Sequence, residues 1–177
     1  MKVGIFTRGR RGYFLIRELL KRHDIQIKFI CLTASGYYPF LWDLALYNDI
    51  DCLIFENVNE KENIDLIKSF KCDLLISCGY DQIFKGDLLN LKIINCHGSA
   101  LPKYRGRNVL KRALANGDKE FGITVHHVDS GIDTGPIIVQ KLYPITKRNY
   151  RTLLNLVRHE SGKVIIEAID LLNDPTI

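Results

Sequence analysis

The chain opens on an apolar, partly β-branched run from Lys2 to Thr7, too short for a helix and right for a strand. An Arg/Gly loop follows, and helical spacing then runs from Phe14 to Lys21. Ile25 to Thr33 reads as a second strand and Cys52 to Phe55 as a short third one. From Lys61 to Phe70 the residues Ile64, Ile67 and Phe70 return to one helical side. Cys72 to Cys78 (CDLLISC) and Ile93 to Cys96 are apolar almost throughout, as strands buried on both faces are. Val109 to Asn116 predicts a helix stopped near Gly117. Ile123 to Val128 and Ile137 to Leu142 predict two strands joined by a turn around Ser130 to Pro136. Tyr150 to Leu172 places Leu153, Leu156, Val157, Val164, Ile165, Ala168, Ile169 and Leu172 at helical spacings.

Strands that alternate with helices, each strand nearly continuously apolar, predict a doubly wound α/β fold: one mostly parallel sheet, helices on both faces. A single domain over residues 1–177 is expected, since no repeat, low-complexity tract or linker divides the chain. Such sheets bind ligands beyond the carboxyl ends of their strands. The segments 7–12, 78–84, 95–108 and 128–136 are therefore where chemistry is expected, and polar residues concentrate there.

Composition leaves that picture intact, with 46% hydrophobic and 25% charged residues, a globular balance. No secretory-type apolar segment opens the chain, and no run is long enough to cross a bilayer, so a cytoplasmic protein is expected. The five cysteines form no CxxC pair and read as small buried residues of a reducing compartment. With no metal-ligand spacing among the histidines, no metal is predicted.

Charge is unevenly distributed. Residues 1–30 carry eight basic and two acidic groups, 43–90 four basic and ten acidic, and 91–130 seven basic and three acidic. The two basic stretches would suit an anionic ligand if the fold joins them. No nucleic-acid-binding module or basic tail accompanies them, so nucleic acid is not the expected partner.

The densest polar stretch is NCHGSALPKYRGRN, residues 95–108. Asn95 and His97 are two apart and share one side of an extended strand end. An amide donor beside an imidazole suits oxyanion stabilisation and proton movement, although such a pair also occurs as ordinary core or surface hydrogen bonding. A second stretch, GITVHHVDSGIDTGPII, offers Asp129 and Asp133 in a Gly-rich turn. Spacing alone does not choose between these two acids, since Asp is favoured in turns for local reasons.

The motifs NCHGSALPKYRG and GITVHHVDSGIDTGPIIVQ, with a weaker one in CDLLISCGYDQIF, resemble the folate-dependent formyltransferase family. That family includes glycinamide ribonucleotide transformylase, methionyl-tRNA formyltransferase and the amino-sugar N-formyltransferases. The resemblance is close over residues 70–141 and implies a Rossmann-like formyltransferase fold elsewhere. It implies Asn95, His97 and Asp133 as catalytic groups and 10-formyltetrahydrofolate as formyl donor. A neutral acceptor amine would attack the formyl carbon, Asn95 and His97 would stabilise the oxyanion, and Asp133 would raise the His97 pKa and accept a proton. His126 matches a position often His in the family, either structural or direct in role. Pterin contacts are implied at Gln82, Ile83, Phe84, Val128 and Asp129, largely through backbone.

The acceptor is expected to be a small anionic amine. HGS and YRGRN look more like the sugar-modifying members, whose nucleotide diphosphates would suit Arg8, Arg10, Arg11, Lys103, Arg105 and Arg107. Glycinamide ribonucleotide and methionyl-tRNA are the alternative acceptors. Hydrolysis of the formyl donor and non-catalytic folate or nucleotide binding are the alternative activities, and a homodimer is open to the chain.

Overall fold

A computed structural model describes residues 1–36 and 38–174. In chain order the elements are β1 (Lys2–Thr7), α1 (Gly9–Leu19), β2 (Gln26–Thr33), α2 (Pro39–Tyr47), β3 (Asp51–Phe55), α3 (Lys61–Ser69), β4 (Leu74–Cys78), β5 (Ile93–His97), α4 (Val109–Ala115), β6 (Glu120–His127), β7 (Ile137–Pro144) and α5 (Tyr150–Asn173). A 3-10 helix at Gly86–Asn90 links β4 to β5. The strands form one sheet in the order β3-β2-β1-β4-β5-β6-β7. Pairings from β3 through to β5 are parallel, while β6 and β7 add antiparallel to one side. The doubly wound, mostly parallel sheet expected from the apolar runs is the architecture found.

Strand order reverses between β1 and β4, which opens a crevice at their carboxyl ends. Two apolar layers hold the sheet. On one face Ile5, Leu15, Ile30, Ile94, Val164 and Ile165 join the sheet to α1 and α5. On the other Phe6, Phe29, Phe55, Ile64, Ile67 and Phe84 join it to α3. Phe6 sits at the centre of the second layer, edge-on to Phe29 at 5.6 Å and to Phe84 at 5.0 Å between ring centroids.

One local expectation is corrected, and one helix joins those read from the sequence. The stretch after β1 is no loop: α1 starts at Gly9, directly behind an extended Arg8. Gly12 allows this, because a Cβ there would stand 2.5 Å from the Thr7 side chain. Helix α2 had no periodic signal. Its residues are apolar nearly all round, and only Leu41 and Ala45 are buried, while Leu46 and Tyr47 remain 79% and 86% exposed.

Candidate active site

Strand β5 ends at His97, between parallel β4 and antiparallel β6. Asn95 is paired directly with His126 across β5 and β6, so their side chains share one face. The Asn95 Nδ2 group donates to Asp133 Oδ1 at 3.2 Å and lies 3.2 Å from His126 Nε2. His126 Nδ1 lies 2.8 Å from the His127 carbonyl, and its Nε2 is also 3.5 Å from Asp133 Oδ1.

Asp133 arrives from the β6–β7 turn with a left-handed backbone, φ 53°. The turn is shaped by Asp129, whose Oδ1 accepts from Gly131 N–H at 3.0 Å and from Thr134 Oγ1 at 2.6 Å. Asp129 therefore builds the bend, and Asp133 is the acid carried inward by it. Asp133 Oδ2 accepts from Gly106 N–H at 2.8 Å and stands 3.3 Å from His97 Nδ1. The other ring nitrogen, His97 Nε2, lies 2.9 Å from the Tyr104 carbonyl.

The 98–108 loop thus closes over the centre. Tyr104 is itself left-handed, φ 59°, and its carbonyl also accepts from Ser99 Oγ at 3.2 Å. The Tyr104 hydroxyl donates to Asp118 Oδ2 at 2.8 Å. Backbone strain of this kind, here at Tyr104 and Asp133, is a recurrent feature of functional sites. The His97 and Asp133 side chains keep only 9% and 12% of their surface exposed.

Burial pulls the His97 imidazole below its usual range, and Asp133 and the Tyr104 carbonyl oppose that without reversing it. This corrects the expectation of a raised His97, because desolvation outweighs the neighbouring carboxylate. Burial would raise the Asp133 carboxyl, yet the His126 contact, the charge of His97 and the Gly106 N–H together hold it below the ordinary value. The resting site therefore pairs an ionised carboxylate with an imidazole that is neutral near pH 7. Both ring nitrogens nevertheless face acceptors, so a proton arriving there would find two partners.

The basic residues divide. Arg8 Nη1 meets Asp81 Oδ2 at 3.3 Å, Arg107 Nη2 donates to the Asp81 carbonyl at 3.3 Å, and Ser35 Oγ donates to Asp81 Oδ2 at 2.9 Å. Arg8 and Arg107, far apart in sequence, thus converge beside the β1–β4 crevice. Arg10 and Arg105 are exposed, and the Arg105 carbonyl accepts from Arg112 Nη1 at 2.8 Å. Lys103 turns to Asp118 at 2.8 Å. Arg11 is corrected as a mouth residue: its guanidinium turns into the core and donates to Ser161 Oγ and the Cys96 carbonyl.

Of the expected pterin-contacting residues, Ile83 is exposed while Phe84 is a core residue. The Gln82 amide is occupied internally: Oε1 accepts from Val58 N–H at 2.7 Å and Nε2 donates to the Phe55 carbonyl at 2.9 Å. Val128 N–H donates to the Ile93 carbonyl at 2.9 Å, stitching the start of the turn to β5. Asp81 and the backbone groups of Tyr104 and Gly106 were not foreseen. Backbone atoms carry no residue-type signal, whereas His126, named from the family resemblance, stands directly opposite Asn95. Among the described residues no group of three or more His, Cys, Asp or Glu could hold a metal ion, and no helix is long and apolar enough to cross a membrane.

A family model described as formyl transferase matches residues 45–169, which include Asn95, His97 and Asp133. The chain belongs to the formyl transferase family. A methionyl-tRNA formyltransferase of Kosmotoga olearia is 37% identical over 116 residues, 63% of this chain and 37% of that protein. One from Finegoldia magna is 38% identical over 133 residues, 73% of this chain and 41% of its own length. The chain thus spans about two fifths of the curated relatives it matches. The crystal structure of a phosphoribosylglycinamide formyltransferase from Bacillus Halodurans superposes with a TM-score of 0.86. It covers 100% of this chain and 97% of that chain at 21% identity, a likeness of fold alone. The formyl transferase motifs and the closed Asn95–His97–Asp133 centre coincide in one place.

Proposed function

We propose that this formyl transferase domain moves a formyl group from 10-formyltetrahydrofolate to the primary amine of a small anionic acceptor. The observation that carries the reading is the convergence of Asn95, His97 and Asp133 at one strand end. An amide donor, an imidazole and an ionised carboxylate fit formyl transfer, which needs oxyanion stabilisation and removal of an amine proton. 10-Formyltetrahydrofolate, when bound, supplies the formyl carbon.

Asn95 and His97 donate toward the oxygen on which negative charge develops. At rest His97 Nε2 meets the Tyr104 carbonyl and Asn95 Nδ2 meets His126 and Asp133, and these contacts give way as substrate enters. His97, neutral at rest, takes up the amine's proton directly or from Asp133, and the imidazolium, with Asp133 as counter-charge, returns it to the donor nitrogen as that nitrogen's bond to the formyl carbon breaks. Removing one such donor costs about 2.7–4 kcal/mol of barrier, or roughly 10²–10³-fold in turnover.

For the acceptor we favour a nucleotide-linked amino sugar. Arg8 meets the Asp81 carboxylate and Arg107 the Asp81 main-chain carbonyl, which places two guanidinium groups where a diphosphate could engage both. Methionyl-tRNA is the second reading, favoured by the sequence relatives. The five free cysteines suit a reducing, cytoplasmic compartment.

The test incubates the protein with 10-formyltetrahydrofolate and a panel of nucleotide-linked amino sugars, glycinamide ribonucleotide and methionyl-tRNA. Mass spectrometry should find one acceptor heavier by a formyl group, and none with His97→Ala. Arg8→Ala and Arg107→Ala should raise KM for an anionic acceptor more than they lower kcat. Formate release without any acceptor would instead establish hydrolysis, and failure to bind the folate would overturn the reading.

A further inference from the structure

Arg11 departs from the mouth where its neighbours Arg8 and Arg10 lie. Its Nε donates to Ser161 Oγ at 2.9 Å, and its Nη2 donates to the Cys96 carbonyl at 2.8 Å and reaches Cys96 Sγ at 3.2 Å. None of these partners is a carboxylate. A guanidinium largely covered by protein without a counter-charge is disfavoured, and Arg11 is part-buried. Among the groups around it, the thiols of Cys96 and its neighbour Cys78 are the ones that can carry a negative charge, and Cys96 Sγ is the one it reaches at 3.2 Å.

Cys96 is 2% exposed and lies between Asn95 and His97 on β5, facing the opposite side of the sheet. Cys78 of β4 is its direct neighbour in register. Ser161 of α5 closes the other side, its hydroxyl donating to the Val157 carbonyl at 2.6 Å. Tyr143 of β7 is near enough to feel its charge, with Glu160 beside that phenol. Through the strand from Cys96 stand His97 and Asp133.

We propose that Cys96 is held as a thiolate, the counter-ion of Arg11, and that this buried pair sets the electrostatics of His97 on the opposite face. The second half rests on His97 being the active-site imidazole. Arg11 by itself pushes His97 toward its neutral form, and a thiolate beside Arg11 cancels that push. Electrostatics around Cys96 agree: burial opposes ionisation, but the Cys78 hydrogen bond and the Arg11 charge outweigh it and lower the thiol below its ordinary value. The other cysteines move the opposite way. Burial raises Cys31 to about 12 and Cys52 and Cys72 to about 11, and the Cys96 hydrogen bond plus burial hold Cys78 well above its ordinary value.

Thiolate absorbance near 240 nm, followed from about pH 5 to about pH 8.5, tests the first half. The native protein should show one thiolate step, absent in Cys96→Ser and moved upward in Arg11→Met. Burial keeps Cys31, Cys52 and Cys72 protonated over that range, so a native step belongs to the Cys78–Cys96 pair, and folded Cys78→Ser should retain it. Absence of a native step, or a step that persists in folded Cys96→Ser, overturns the proposal. For the second half, NMR titration of His97 should show a lower midpoint in folded Cys96→Ser, where Arg11 is left uncompensated. An unchanged midpoint overturns it. Neither readout uses formyl transfer, so failure here and failure of the proposed function are separately visible.

Discussion

His97 Nδ1 and Asp133 Oδ2 stand 3.3 Å apart in a space nearly closed to solvent, and one loop covers both, through the Tyr104 carbonyl and the Gly106 N–H. Neither residue is held by its own element alone. The strand end presents His97, the β6–β7 turn presents Asp133, and the covering loop fixes the angle between them.

Asp133→Asn should lower the His97 midpoint further, because Asp133 is the largest influence raising it against burial. NMR titration of the imidazole would read this shift directly. Turnover should fall in the same variant while the melting temperature stays within a few degrees, since Asn retains acceptor and volume at the Gly106 contact.

Stability should peak between about pH 6.5 and 8.5. His97 and His127 are both lowered on folding, chiefly by burial, so the unfolded chain binds their protons first and stability falls as pH drops below about 6.5. The lowered Asp133 extends the loss into the carboxylate range. At the alkaline end, Cys31, Cys52 and Cys72 keep protons that the unfolded chain releases above about pH 8.5, so stability declines again. Cys96, moved the other way, adds stability as pH rises from about 6. Urea midpoints across this range would test the shape.

Gln82→Ala should cost about 1–3 kcal/mol of stability, because it leaves Val58 N–H and the Phe55 carbonyl without their partner. Folate affinity should change little, since the Gln82 side chain faces the β3 end. A large loss of affinity with unchanged stability would reverse that assignment, and paired denaturation and binding measurements distinguish the two.

Gly122→Ala should destabilise the fold by about 1–3 kcal/mol and disturb the loop over the site. A Cβ at Gly122 would lie 2.7 Å from the backbone of Ala100, and backbone cannot swing aside as a side-chain tip can. Thermal melts would read the loss. Hydrogen exchange should quicken around the Leu101 N–H, which donates to Thr124 Oγ1 at 3.2 Å.

Much of the architecture was legible because it depends on local periodicity. The nearly continuous apolar runs at Cys72–Cys78 and Ile93–Cys96 read as strands covered on both faces, and strands β4 and β5 are such. Helix α2 was illegible for the same reason in reverse: with apolar residues on every side it shows no period. Spacing put Asn95 and His97 on one side of a strand end, but their catalytic role and the choice of Asp133 over Asp129 came from the family resemblance of the motifs. Both are turn residues, and only the folded turn shows that one ties the bend while the other points inward.

Arginine was the residue least readable from sequence. Arg8, Arg10 and Arg11 are neighbours in one basic cluster, yet one joins Asp81, one stays exposed and one enters the core beneath β5. By itself the sequence determined the alternation of strands and helices, the apolar layers and the residue types at the strand ends. Those follow from short-range periodicity and burial of apolar surface. Only the tertiary structure decided which charges meet, which imidazole is desolvated and which backbone groups close the site. Hydrogen bonds and charge interactions act over a few ångströms in space, between residues up to 150 positions apart in the chain.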